Sequence, residues 1–216
     1  MSHITLVRHG QANTTARDEE NYDKLSDLGH QQARWLGAHL RDTHAHHPRV
    51  YCGTLKRHAE TAASMGLPEP IRDARLNEIE YFNIAKLFEE QHGVAIPTDR
   101  EGFVQHLPRT FDAWANGDIR NAPETFDEFE TRVSDALKDI GTEGGPAIVV
   151  TSGGLISMVV RQAMGLDIQS MARVALAIMN TSMHRLYPIG AQLSPVLFNA
   201  VPHLESPERH FAQTHL

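Results

Sequence analysis

The run Ile4-Thr5-Leu6-Val7-Arg8-His9-Gly10 decides how the rest of the chain is read. Its apolar, β-branched start predicts a buried strand, and Arg-His-Gly predicts a turn where that strand stops. The same pattern returns twice. Val50-Tyr51-Cys52 precedes Gly53-Thr54, and Ala147-Ile148-Val149-Val150-Thr151 precedes Ser152-Gly153-Gly154. Helical spacing fills the intervals. Ser26 is placed to cap a helix bearing Leu28, Trp35, Leu36 and Leu40. A helix from Thr54 to about Met65 puts Arg57 and Thr61 on one face. Thr125 and Glu128 have capping-box spacing ahead of Phe126, Phe129, Val133, Leu137 and Ile140. A last helix carries Ile156, Val159, Val160 and Met164, and two late strands are expected near residues 177–187 and 192–198. Strands alternating with helices predict an α/β fold, a three-layer α/β/α sandwich with a mainly parallel sheet.

Between residues 82 and 124 the pattern changes. Phe103, Leu107, Phe111 and Trp114 recur at helical spacing, while Pro97, Pro108 and Pro123 interrupt it. This reads as a helical cap insertion over the sheet within a single domain spanning residues 1–216. The segment from Gln11 to Lys24 reads as a polar loop, and the last ten residues as loose.

The bulk numbers exclude several function classes. A formal net charge of -7 over 216 residues argues against general affinity for nucleic acid or anionic membrane. The strongest apolar runs, at residues 148–150 and 174–179, are strand-sized, far short of the ~18 residues that span a bilayer. No basic and apolar leader precedes the first strand, and Cys52 is the single cysteine. The expected address is therefore cytoplasmic. Of the 14 histidines, His44, His46 and His47 cluster before Pro48, but without a carboxylate or cysteine at ligand spacing they read as a solvated loop, and no metal or other cofactor is expected. Cys52 reads as a small buried strand residue.

In parallel α/β sheets, ligands sit at the carboxyl ends of strands. That rule gathers Arg8-His9-Gly10, Cys52-Gly53-Thr54 and Ser152-Gly153-Gly154 around one pocket. An imidazole attacks phosphorus near neutral pH to give a phosphohistidine, and guanidiniums offer planar forks for phosphate oxygens. Arg57, early in its helix, would supply a second fork beside Arg8. Taken alone, the tripeptide is equally compatible with a surface Arg-His at a strand end.

The wider pattern resolves that choice. Leu6-Val7-Arg8-His9-Gly10-Gln11 resembles the signature of the histidine phosphatase (phosphoglycerate mutase-like) superfamily, branch 1. Leu25-Ser26-Asp27-Leu28-Gly29-His30-Gln31-Gln32-Ala33 resembles its following segment, and Leu55-Lys56-Arg57-His58-Ala59-Glu60-Thr61-Ala62 its second-arginine segment. Leu76-Asn77-Glu78 resembles the segment carrying its general acid, and Phe198-Asn199 with His203-Leu204 its ending. The resemblance implies that His9 is the nucleophile, that Arg8 and Arg57 bind phosphate, and that Glu78 protonates the leaving oxygen and then activates water. Glu80, two residues on, is the alternative acid. Gln11 and Asn13 would contact phosphate oxygens, unless they cap turns as small polar loop residues often do.

One position departs from the family. Where its members carry a second pocket histidine ahead of the glycines, this chain has Ser152. Ser152 and Gly153 would open a helix whose free N–H groups still favour an anion. Phosphate binding should then survive better than turnover, unless His203 or His58 fills the gap. The expected function is a metal-independent phosphomonoester hydrolase with a phosphohistidine intermediate, acting on a small phosphorylated substrate. The alternatives are a catalytically impaired phosphoester-binding or interaction protein of the same fold, and a phosphoglycerate mutase. The sequence leaves monomer and homodimer equally open.

Overall fold

The computed structural model describes residues 3–16, 18–190 and 192–215. Six strands form one sheet in the order β3-β2-β4-β1-β5-β6: β1 (Ile4–Arg8), β2 (Arg49–Cys52), β3 (Ile71–Arg72), β4 (Ala147–Thr151), β5 (Met183–Ile189) and β6 (Gln192–Ala200). The first four in that order are parallel. β5 and β6 close one side as an antiparallel hairpin. The chain is thus α/β with helices on both faces, as its alternating pattern predicts.

Pleating explains why these strands are apolar throughout. On β1, β2 and β4, the residues Leu6, Tyr51 and Val149 point to one face, and Val7, Val50, Cys52, Ile148 and Val150 to the other. Strands buried on both faces read as continuous apolar runs. The second face is covered by α2 (Asp27–Asp42) and α3 (Lys56–Met65) through Ala33, Leu36, Leu40, Ala62 and Met65. The first is covered by α5 (Arg100–Ala115), α6 (Phe126–Thr142), α7 (Gly153–Met164) and α8 (Ile168–Ala177), and α4 (Tyr81–His92) adds Ile84 and Phe88 to the same core. Cys52 is fully buried on the second face, against α2 and α3, as a small strand residue.

Several local expectations need correction. The polar loop after Gln11 contains a short helix, α1 (Glu19–Tyr22), capped by Asp18. Pro108 does not interrupt α5, because Leu107, Phe111 and Trp114 lock its inner face into the core on either side. Residues 174–177, read as part of a strand-sized run, end α8, whose N-cap Asp167 accepts from the Ser170 N–H. β5 accordingly starts only at Met183, after a turn with Thr181 at φ 57°. His47 is not simply solvated: its ring nitrogen lies 3.2 Å from Thr5 Oγ1. Residues 207–215 are not loose, and Leu216 lies outside the described residues. Pro207–Ala212 forms a 3-10 helix with Ala212 fully buried, and Gln32 Nε2 donates to the Ala212 carbonyl at 2.7 Å.

Candidate active site

β1, β2 and β4 all end at one rim, and the sequence elements after them meet there. His9 continues the β1–β4 ladder, its N–H donating to the Thr151 carbonyl at 2.8 Å. The imidazole is 2% exposed, and Nδ1 lies 2.7 Å from the Gly10 carbonyl. That bond makes Nδ1 the donor and leaves Nε2 with its lone pair. Burial pushes the His9 pKa well below its ordinary value, and Arg57, Arg8 and His58 add to the effect in that order. The ring is neutral at physiological pH.

Arg57 is 2% exposed and is set by the short helix that the sequence hid. Asp23, at the end of α1, accepts from the backbone N–H groups of Lys56 and Arg57 at 2.9 and 3.1 Å. It also accepts from Arg57 Nη1 at 3.1 Å. Asp23 thereby caps α3, which lacks a cap of its own, and orients the guanidinium. Tyr22 stacks on that guanidinium at 5.1 Å. Arg8 arrives from the other side. Its Nη1 donates to the backbone carbonyls of Ile178 and His215, the latter at 2.7 Å, and its Nε has no partner among the described residues. The free Nε edge lies beside Gly153 at the start of α7.

Glu78 follows a 3-10 turn at Ala74–Leu76 that is tied down on three sides. Thr151 Oγ1 donates to the Leu76 carbonyl at 2.7 Å, Arg132 Nη1 to the carbonyls of Arg75 and Asn77, and the Thr54 N–H to Asn77 Oδ1 at 2.7 Å. The Glu78 carboxylate accepts from the Gly154 N–H at 2.9 Å and the Ile79 N–H at 3.0 Å. A Cβ on residue 154 would sit 2.2 Å from Glu78 Oε1, so the glycine admits the carboxylate. Glu80 is exposed at the start of α4, with Oε2 held by Asn83 Nδ2 at 2.5 Å.

A cavity of about 320 Å³ opens over Arg57, lined by Glu19, Glu20, Asp23, Leu55, Glu78, Ile79 and Glu80. Glu19 accepts from the Phe82 N–H at 2.8 Å. Burial raises its pKa to about 7, against the opposing pull of that N–H and Arg57, while Glu78 and Glu80 raise it further. Ser152, fully buried at the N-cap of α7, makes no cap bond; its Oγ lies 2.6 Å from His58 Nε2. His203 sits elsewhere, its Nε2 2.8 Å from Thr181 Oγ1.

The family model for the histidine phosphatase superfamily (branch 1) matches residues 4–201. The chain belongs to that superfamily. Solved structures of the same fold align over nearly the whole chain. A phosphoserine phosphatase mutant from Entamoeba histolytica, in complex with phosphoserine, superposes with a TM-score of 0.70 at 17% identity, covering 94% of this chain and 100% of that one. YhfR of Bacillus stearothermophilus gives 0.69 at 21% identity, covering 95% and 100%. Phosphoglycerate mutase from Bacillus anthracis str. Sterne gives 0.67 at 21% identity, covering 94% of each chain. Such identities speak to the fold alone. No curated protein sequence matches this chain.

Within this histidine phosphatase frame, His9, Arg8, Arg57, Glu78, Ser152 and Gly153 converge on one rim. Gln11 and Asn13 bond within the loop after β1. Gln11 Oε1 accepts from Ser26 Oγ at 2.8 Å, and Asn13 bonds the Asn21 carbonyl and Thr15, so both build the loop. Sequence reasoning missed Glu19, Tyr22 and Asp23, which lie on a helix too short to show periodicity. The signal that was available is Asp18 with Asn21, a cap spacing inside an apparent loop.

Proposed function

We propose that the chain hydrolyses phosphomonoesters of small organic alcohols through a phosphohistidine on His9, without a metal. The observation that carries this reading is the orientation of His9: Nδ1 is bound to the Gly10 carbonyl, and a neutral Nε2 is left free among two guanidiniums and a carboxylate. Nε2 attacks phosphorus and the P–O ester bond breaks. The leaving oxygen takes its proton from the Glu78 carboxyl group. Water then attacks phosphorus as Glu78 takes its proton, the P–N bond breaks with its electron pair returning to His9 Nε2, and inorganic phosphate departs. Arg57 and the Nε edge of Arg8, with the N–H groups opening α7, hold the equatorial oxygens where charge develops. The guanidinium pair supplies the positive charge that a metal supplies in other phosphoryl-transfer sites.

The mouth argues against a phosphoglycerate mutase. Such a substrate brings a carboxylate and further phosphate charge, and Glu19, Glu20, Asp23 and Glu80 surround the space beyond Arg57.

The test is a brief incubation with a 32P-labelled phosphomonoester, followed by mapping of the label. An acid-labile, base-stable label on His9 is expected. His9→Ala should abolish turnover, and activity should persist in excess EDTA and be blocked by vanadate. Glu78→Gln should slow turnover far more than Glu80→Gln. Undiminished hydrolysis by His9→Ala would rule the mechanism out.

A further inference from the structure

The position that departs from the family is not empty of imidazole. His58, in the first turn of α3, reaches across the pocket floor to Ser152 and lies with its ring centroid 5.7 Å from that of His9, tilted by 35°. Both His58 and Ser152 are fully buried. The ring is seated against Gly53 at the end of β2. A Cβ there would lie 2.2 Å from His58 Nδ1 and 2.9 Å from Cε1, so any larger residue would evict the imidazole.

The hydrogen bonds of the pair fix its proton. Burial, assisted by Arg57, holds His58 neutral, with one N–H to place. On Nδ1, which has no partner among the described residues, the proton would be a buried donor facing no acceptor. On Nε2 it is donated to Ser152 Oγ. The serine hydroxyl must then send its own proton elsewhere, and no protein acceptor among the described residues receives it. Ser152 stands at the head of α7, next to Gly153 and the free Nε edge of Arg8.

Resting on the phosphoryl-transfer reading above, we infer that Ser152 and His58 together replace the second histidine of the family. Ser152 Oγ–H donates to a phosphoryl oxygen, and His58 is the positioning residue behind it, fixing the hydroxyl proton outward. The role has moved from the strand end of β4 to the first turn of α3, and Gly53 made the room. A histidine returned to position 152 alone would meet the His58 ring and gain nothing.

The experiment combines turnover with a direct reading of the tautomer. Ser152→Ala is expected to lower kcat on the order of 100-fold with little change in KM. His58→Leu should do the same, and the double variant should be no slower than either single one. His58→Gln, whose amide can donate to Ser152 Oγ, should recover part of the loss. Ser152→His should gain activity only when combined with His58→Ala. In the wild-type protein, 15N NMR should find His58 protonated on Nε2. A proton on Nδ1, additive losses, or a His58→Gln variant no better than His58→Leu would overturn the inference. If the wild-type protein hydrolyses no ester, the phosphatase reading fails by itself. The tautomer and a loss of orthovanadate affinity in Ser152→Ala still decide the pair.

Discussion

At the scale of single residues, burial sets the charge states of the titratable groups in the site. His9 is neutral because burial and two arginines disfavour the imidazolium. Glu19 is the opposite case, a carboxyl held near pH 7 at the pocket mouth. Its protonated form is the one the folded state prefers, so the fold binds more protons than the unfolded chain between about pH 4.5 and pH 7. Stability tied to Glu19 is therefore present below the ordinary carboxyl value and is lost as pH rises through 7. Glu19→Gln should raise the melting temperature relative to wild type at pH 8 and leave it nearly equal at pH 4.5. Kinetics carry the same sign. Ionised Glu19 adds a negative charge beside Arg57, so the wild-type KM for a phosphomonoester should climb across pH 7. The ratio of wild-type KM to that of Glu19→Gln should climb with it; a flat ratio from pH 6 to 8 would show that Glu19 does not sense the substrate.

At the scale of elements, α5 contains the most testable anomaly. Pro108 lies well inside its sixteen residues, where it removes a helix hydrogen bond and crowds the preceding turn. Pro108→Ala should stabilise the protein by up to about 3 kcal/mol, read by urea denaturation. A loss of stability would mean that the ring is needed for packing. The same helix shows which parts of the fold were legible. β1 and β4 stood out because a strand buried on both faces carries few polar residues to blur it, and α6 because its capping box and apolar stripe coincide. α8 was obscured because its end, Val174-Ala175-Leu176-Ala177, runs apolar into Ile178-Met179 and hides the 3.6-residue period. Its start was readable in Asp167 and Ser170. The strand-end residues His9, Arg8 and Ser152 were legible because topology fixes where strands end. The role of Asp23 was not, and His58 could be named only as one of two candidates to fill the gap at Ser152, because such roles depend on where a side chain reaches. His58 is visible in sequence only as a neighbour of Arg57; its entry into the pocket is decided by the missing Cβ of Gly53.

At the scale of the whole molecule, charge and chain path both bear on the site. The net charge of -7 and the carboxylates around the mouth repel an anionic substrate that Arg57 must then attract at short range. Added salt shrinks the Debye length from about 30 Å at 0.01 M to about 8 Å at physiological strength. Between those conditions kcat/KM should rise for a phosphomonoester bearing an extra carboxylate and change less for one bearing an amine. The reverse order in steady-state assays would place the approach path elsewhere. The chain path matters through Arg8. Its Nη1 is held by carbonyls 170 and 207 positions further along the sequence, at Ile178 and His215, and His215 also meets Arg100. A nascent chain therefore cannot set Arg8 until the segment around His215 has emerged from the ribosome. A foreign segment inserted directly after His215 would be a modification beside Arg8.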